Sequence, residues 1–205
     1  MSKAFRIYGS GGPEVMRWEE VQVGNPGPGQ VLLRNTAVAL NYRDIYVRSG
    51  MHALPSFPSG IGIESAGVIE AIGPGVTGLA GGQRVACVAG PDTAYAEARL
   101  VPAARVVPLP DGIDERTAAA MMIRGMTARY LLRETYRCTP DTVLLIHAAA
   151  GGVGLIVCQW AKAIGATLIG TVGSGEKAQL ALAAGCTHVI NYRTENVVAR
   201  IRAGL

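Results

Sequence analysis

The hydrophobic and polar positions change rhythm once along the chain. Through the first 110 residues, short apolar runs alternate with Gly/Pro punctuation at Gly11-Gly12-Pro13, Asn25-Pro26-Gly27-Pro28-Gly29, Gly73-Pro74-Gly75 and Gly90-Pro91-Asp92. Between these turns lie β-rich segments at Val31 to Leu40, Ser65 to Ile72 and Arg84 to Ala89. Punctuated strands at this spacing predict a small, mostly antiparallel barrel or sandwich. Near Asp111 the pattern becomes helical. Asp114 is placed to cap a helix over Glu115 to Arg133, because its carboxylate can accept from the free N–H groups of the first turn. Thr139-Pro140-Asp141 then breaks the chain.

From Val143 the rhythm is βαβαβ. A buried strand, Val143 to His147, leads into a helix from Gly152 to Ile164. Its apolar face is Val153, Val157, Trp160, Ala161 and Ile164, at helical spacing, and Gly165 ends it. A strand over Thr167 to Val172, a helix over Glu176 to Ala184 ended by Gly185, and a strand over His188 to Asn191 follow. Thr194 is placed to cap a last helix running to the C-terminus.

Composition sharpens this picture. Hydrophobic residues make up 49% and charged residues 17%, which excludes a self-repelling disordered polymer. The 27 glycines show no Gly-x-y period, so they serve turns and close backbone approaches rather than a triple helix. The net charge of +4 is dispersed apart from Arg193, Arg200 and Arg202, which read as a solvated helix face. Nucleic-acid binding is therefore not argued by charge. Cysteines 87, 138, 158 and 186 fit neither a zinc pattern nor a disulfide framework. They read as reduced, mostly buried thiols of a cytoplasmic protein. The N-terminus has no signal-peptide pattern. The longest apolar stretch, Val143 to Cys158, is interrupted by His147 and glycines, so no membrane segment is expected.

The strongest chemical signal is Ala148-Ala149-Ala150-Gly151-Gly152-Val153-Gly154, set between a predicted strand and a helix. That is the context of a dinucleotide fingerprint. Ala149 takes the first glycine position, and Gly151 and Gly154 the second and third. The helix start offers free N–H groups and a positive dipole end to a diphosphate. Units that bind NAD place an acid near the end of the second strand, for the ribose diol. Here Val172-Gly173-Ser174 stands at that place, with Lys177 beyond. A hydroxyl and a cation suit a 2′-phosphate, so NADP(H) is expected over NAD(H).

These motifs, with Gly11-Gly12-Pro13-Glu14-Val15, Asn41-Tyr42-Arg43-Asp44-Ile45-Tyr46-Val47-Arg48-Ser49-Gly50, Gly82-Gln83-Arg84-Val85 and Val189-Ile190-Asn191-Tyr192, closely resemble the NADPH:quinone oxidoreductases. This is the zeta-crystallin-like branch of the medium-chain dehydrogenase/reductase superfamily. The resemblance runs from about residue 3 to the end. It implies an α/β protein with a GroES-like, mostly-β N-terminal domain (1–112), followed by the first βαβαβ half of a Rossmann fold (113–205). It also implies an active site in the cleft between these domains, and metal-free hydride transfer from NADPH to a quinone. Carried over by position, Asn41, Tyr42, Arg43, Asp44 and Tyr46 lie near the nicotinamide, with Asn41 and Tyr46 as candidates for orienting the substrate carbonyl. Thr127 and Tyr130 face the cofactor. Gly151, Gly152 and Val153 meet the diphosphate, while Gly173, Ser174, Lys177 and Tyr192 surround the 2′-phosphate. On the residues alone, Asn41 also reads as a strand-end turn residue, Tyr46 as a half-buried aromatic, His52 as a loop histidine and His147 as a packing histidine. Gly62-Ile63-Glu64 carries no His beside its Glu, and no four-cysteine lobe is present, so no zinc site is expected.

The resemblance further implies that members continue beyond Leu205 into the second Rossmann half and a segment returning to the N-terminal domain. The chain thus reads as truncated. Val143 to His147 is then expected to form an unpaired hydrophobic edge, with marginal folding and little or no turnover. The full-length members are expected to be homodimers. Two other readings stay open: an enone or alkenal reductase on the same scaffold, and a non-catalytic nucleotide-binding module. RNA binding, known for some zeta-crystallins, has little support in the charge pattern.

Overall fold

The computed structural model describes residues 1–88 and 93–204. The expected turn at Gly90-Pro91-Asp92 and the last residue of the strand expected to end at Ala89 lie outside the described residues. The chain divides into two compact units, Met1–Ile123 and Arg124–Leu205.

In the first unit, β1 (Ser2–Ile7) pairs antiparallel with β2 (Met16–Val21), setting Phe5 opposite Trp18 with ring centroids 4.9 Å apart. The elements that follow are β3 (Gln30–Val38), α1 (Tyr42–Arg48), β4 (Ser59–Gly60), β5 (Glu64–Ile72), β6 (Arg84–Val88), β7 (Ala98–Pro102), β8 (Val106–Pro108) and α2 (Glu115–Tyr130). β4 adds to the free side of β1, giving a three-stranded sheet. The larger sheet has the order β7-β3-β5-β6-β8, with every neighbouring pair antiparallel. Strand alternation turns Val31 and Leu33 of β3 inward, where they meet Ile69, Val85, Cys87 and Val101 in one apolar cluster. Asp114 caps α2 as its sequence position requires. Its Oδ1 accepts from Thr117 N–H at 2.8 Å and its Oδ2 from the Thr117 hydroxyl at 2.9 Å.

The second unit begins within α2. That helix ends at Tyr130 rather than Arg133, because the chain widens into a π turn over Leu131–Thr135, closed by Tyr136 N–H donating to Leu131 C=O. Then come β9 (Val143–Ile146), α3 (Gly152–Ile164), β10 (Thr167–Val172), α4 (Gly175–Ala184), β11 (His188–Asn191) and α5 (Val197–Arg202). The three strands are parallel, in the order β11-β10-β9. Gly165 and Gly185 end α3 and α4 in the left-handed conformation. The core gathers Val157, Cys158 and Ala161 of α3, Leu168 and Val172 of β10, and Ala181 of α4. Val153, Trp160 and Ile164 pack against it, so the apolar face read for α3 is the buried one.

Three local expectations are corrected. Thr194 does not cap the last helix; its hydroxyl donates to Asn191 C=O, and Asn196 caps α5 by accepting from Ala199 N–H at 2.9 Å. Arg193 therefore precedes that helix and does not share a face with Arg200 and Arg202. His147 is exposed rather than packed, with Nδ1 3.0 Å from the Thr171 hydroxyl.

Candidate nucleotide-binding site

The candidates fall into two groups, one in each unit. In the second unit the glycine bend joins β9 to α3. Ala148 carries the only positive φ of a non-glycine residue among those described, +55°. Its carbonyl accepts from Gly151 N–H at 2.8 Å, which closes the bend. The next residue, Ala149, is fully buried and donates its N–H to Thr171 C=O, tying the bend to β10. A Cβ on Gly154 would fall 2.4 Å from Ala148 O and 2.5 Å from Ala149 O. Only glycine lets α3 start so close to the strand it follows, which is the packing role expected of a third fingerprint glycine.

The start of α3 is bare. Gly151 at the N-cap contributes no side-chain bond, and the first turn holds no acid. Its N–H groups and positive dipole end are thus offered outward. The arrangement fits a diphosphate, since the bend provides backbone donors with no side chain of its own. Val153 is half-buried and packs against the core. Thr127 is half-buried within α2, and Tyr130, its last residue, is exposed.

At the end of β10, Gly173 is covered by Tyr192. A Cβ there would lie 2.5 Å from the Tyr192 hydroxyl and 3.6 Å from Nε of Arg193. Tyr192 is held by its N–H donating to Val172 C=O. Ser174 caps α4, its hydroxyl oxygen accepting from Lys177 N–H at 3.3 Å, and the exposed Lys177 sits in the first turn. Gly173, Ser174, Lys177 and Tyr192 thus occupy the ends of β10 and β11 and the start of α4. Arg193 joins them, a residue that sequence reasoning assigned to a helix face. Its signal was adjacency to Tyr192, which pattern reading alone does not separate from the later arginines.

The first unit carries the other group on α1. Asn41 precedes the helix, and Asp44 at its third position reaches back to accept Asn41 N–H at 2.9 Å. Asp44, 2% exposed, also accepts from the Tyr95 hydroxyl at 2.9 Å. Burial, with the Asp44 carboxylate beside it, pushes the Tyr95 hydroxyl above its usual range. The Asn41 carboxamide donates through Nδ2 to Glu64 at 3.1 Å, and the other oxygen of Glu64 accepts from Ile123 N–H at 2.9 Å. Glu64 is fully buried. The carboxamide is therefore held by β5 as well as by its own helix. Tyr42 and Tyr46, one turn apart on α1, have ring centroids 6.2 Å from each other, and His52 meets Tyr46 edge-on at 5.4 Å. Arg43 and Tyr46 are half-buried and Tyr42 is exposed. Sequence reasoning did not find Glu64 and Tyr95 as partners of this group. A lone acid in the otherwise apolar start of β5 was the available signal, since a buried carboxylate needs donors.

Comparison with known proteins finds relatives that span both units. A family model described as an alcohol dehydrogenase GroES-like domain matches residues 27–111, and one described as a zinc-binding dehydrogenase matches residues 152–204. The quinone oxidoreductase of Pseudomonas aeruginosa is 49% identical over 201 residues, covering 98% of this chain and 62% of that protein. The 2-haloacrylate reductase of a Burkholderia species is 46% identical, with the same coverage. Among solved structures, Escherichia coli quinone oxidoreductase complexed with NADPH superimposes with a TM-score of 0.96 at 44% identity, over 98% of this chain and 62% of that one. The chain spans about 62% of the length of these relatives. With the GroES-like sheet, the parallel βαβαβ unit and these matches together, the chain is similar over 98% of its length to the quinone oxidoreductases and shares the medium-chain dehydrogenase/reductase fold over the residues it spans.

Proposed function

We propose that the protein is an NADPH-dependent quinone oxidoreductase, and that this chain supplies the adenine-nucleotide end of its cofactor site. The observation that carries the reading is the bare start of α3 behind a glycine bend, joined to a hydroxyl-and-cation set at Ser174, Lys177 and Tyr192. It occurs in a chain 44% identical to an enzyme solved with NADPH. When bound, NADPH supplies the hydride. The residues of this chain bind and orient. Gly152 and Val153 present backbone N–H groups to the diphosphate, and Gly151, whose own N–H closes the bend, lets the backbone approach it. Gly173, Ser174, Lys177 and Tyr192 receive the 2′-phosphate, where an NAD-selective site would place an acid. Thr127 and Tyr130 are assigned to the cofactor as well.

Asn41 and Tyr46 are proposed to orient the substrate carbonyl, with Tyr42, Arg43 and Asp44 completing that group around the nicotinamide. The Asn41–Glu64 bond supports this, because it fixes the carboxamide before substrate arrives. A quinone is already electrophilic, so orientation suffices and metal-free transfer is part of the reading. Asn41, and the Gly62-Ile63-Glu64 segment without a His, support it. Among the described residues no helix is long and apolar enough to cross a membrane. A cytoplasmic location belongs to the same proposal.

The similarity to a 2-haloacrylate reductase favours a second substrate class, activated alkenes, on the same scaffold. The test is NADPH oxidation followed with 1,4-benzoquinone, enones and 2-haloacrylate in parallel. Faster oxidation with quinones is expected. Turnover with alkenes alone would replace the quinone assignment, and a preference for NADH would overturn the cofactor assignment. Binding of NADPH with no turnover on any acceptor would favour a binding module.

A further inference from the structure

The first unit holds a cavity of about 280 Å³, lined by residues of β1 and of β7, the outer strand of the larger sheet. Phe5, Val21, Val23, Ala98 and Leu100 give it apolar walls. Two arginines line it as well, and no acid does. Arg6 is already committed: its Nη2 donates to Pro58 C=O at 3.1 Å, and its Nε lies 3.9 Å from Glu19. Arg99 is not. It is 3% exposed, and its Nη2 donates to the Ser65 hydroxyl at 2.8 Å, but its Nε and Nη1 are buried with no hydrogen-bond partner. A guanidinium has two planar edges, each made of one Nη2 hydrogen beside a hydrogen of Nε or of Nη1. Ser65 takes a hydrogen from one edge, so the other stays whole. Buried polar groups without partners are rare in folded proteins, and a buried charge is the costliest kind. A carboxylate fits a free guanidinium edge with two parallel N–H···O bonds.

We propose that Arg99 anchors a binding site for a small apolar monocarboxylate, which pairs its carboxylate with the free edge of the guanidinium and lays a short tail against the walls of the cavity. The volume suits an acid of a few carbons, since pockets for drug-sized ligands are larger. The apolar walls exclude water, which strengthens the ion pair. The site belongs to the first unit and shares no residue with the glycine bend, with the 2′-phosphate set or with the Asn41–Tyr46 group.

The test follows the melting temperature of the protein as sodium butyrate is added at fixed ionic strength, because a ligand that binds only the folded state raises it saturably. Butyramide, which keeps the tail without the charge, sodium chloride and inorganic phosphate are titrated in parallel. A saturable rise is expected with butyrate and not with butyramide or chloride. Arg99→Met is expected to weaken the butyrate response by about 10- to 100-fold in concentration, the worth of a hydrogen bond to a charged group. Arg99→Lys, which keeps the charge and loses the planar edge, is expected to fall between wild type and Arg99→Met, and it carries the test if Arg99→Met does not fold. An unchanged butyrate response in either folded variant overturns the proposal. So does wild-type protein that ignores butyrate, or that responds equally to butyramide or chloride. A response to phosphate without one to butyrate overturns the carboxylate assignment.

Discussion

At the scale of single residues, the first unit contains a charge that the proposed chemistry does not use. Arg99 is 3% exposed, and its Nη2 donates to the Ser65 hydroxyl at 2.8 Å. Its Nε and Nη1 have no hydrogen-bond partner among the described residues. Burial lowers the guanidinium below its ordinary value. A buried ion with one neutral partner costs more in lost hydration than it recovers. Replacing Arg99 by Met, which keeps the apolar stem and removes the charge, is therefore expected to raise the urea midpoint of unfolding at constant slope. A lower midpoint would show that the guanidinium stabilises the fold more than its desolvation costs. Not all residue-scale chemistry is hidden from the sequence. Gly151, Gly154 and Ser174 declared themselves by spacing. Glu64 and Tyr95 did not, because the contacts that matter join Asn41 to a residue 23 positions away and Asp44 to one 51 away. Only the assembled sheet brings those pairs together.

At the scale of elements, legibility follows the locality of the signals. α3 and β10 were readable to the residue, since a glycine bend, an apolar helical face and a terminating glycine lie within one short stretch. The β1–β2 hairpin was not. Arg6, Arg17, Glu19 and Glu20 dilute its alternation, and its stability comes from cross-strand pairs such as Phe5–Trp18. The last helix misled for a similar reason. Thr194 and Asn196 are both capping residue types, and only the turn made by Asn191 decides between them. The cap of α2 gives a prediction with a sign. Hydrogen bonds from Thr117 N–H and then from its hydroxyl hold the Asp114 carboxyl below its ordinary value. A depressed folded value means that the stabilisation is present above the unfolded carboxylate's pKa and is lost as pH falls through the folded one. Asp114→Ala is therefore expected to melt below wild type at neutral pH, with the gap narrowing as the pH drops into and below the carboxylate range. Thermal melts of both proteins across that range check it. A gap independent of pH would exclude the ionised cap.

At the scale of the whole molecule, the parallel sheet has an apolar margin. β9 is its outer strand, and Val143 and Leu145 on one of its faces are 65% and 47% exposed. The family resemblance anticipated this edge, whereas the apolar run itself read as a buried strand, which the exposure of Val143 and Leu145 corrects; such edges template association. Leu145→Lys is expected to slow the growth of light scattering in concentrated samples while leaving the melting temperature near that of wild type. Unchanged scattering would place self-association elsewhere on the surface.

The four thiols are all free and buried. Burial pushes Cys87 up, and donating its S–H to Cys186, with burial, pushes Cys158 up, so little thiolate is available at either. Cys87 belongs to the first unit, and Cys138, Cys158 and Cys186 to the second. An alkylating reagent can reach them only during transient opening. The native cysteines are therefore a ready-made pair of clocks. The labelling rate of Cys87 times the breathing of the GroES-like sheet, and that of the other three times the parallel-sheet unit, without a single engineered probe.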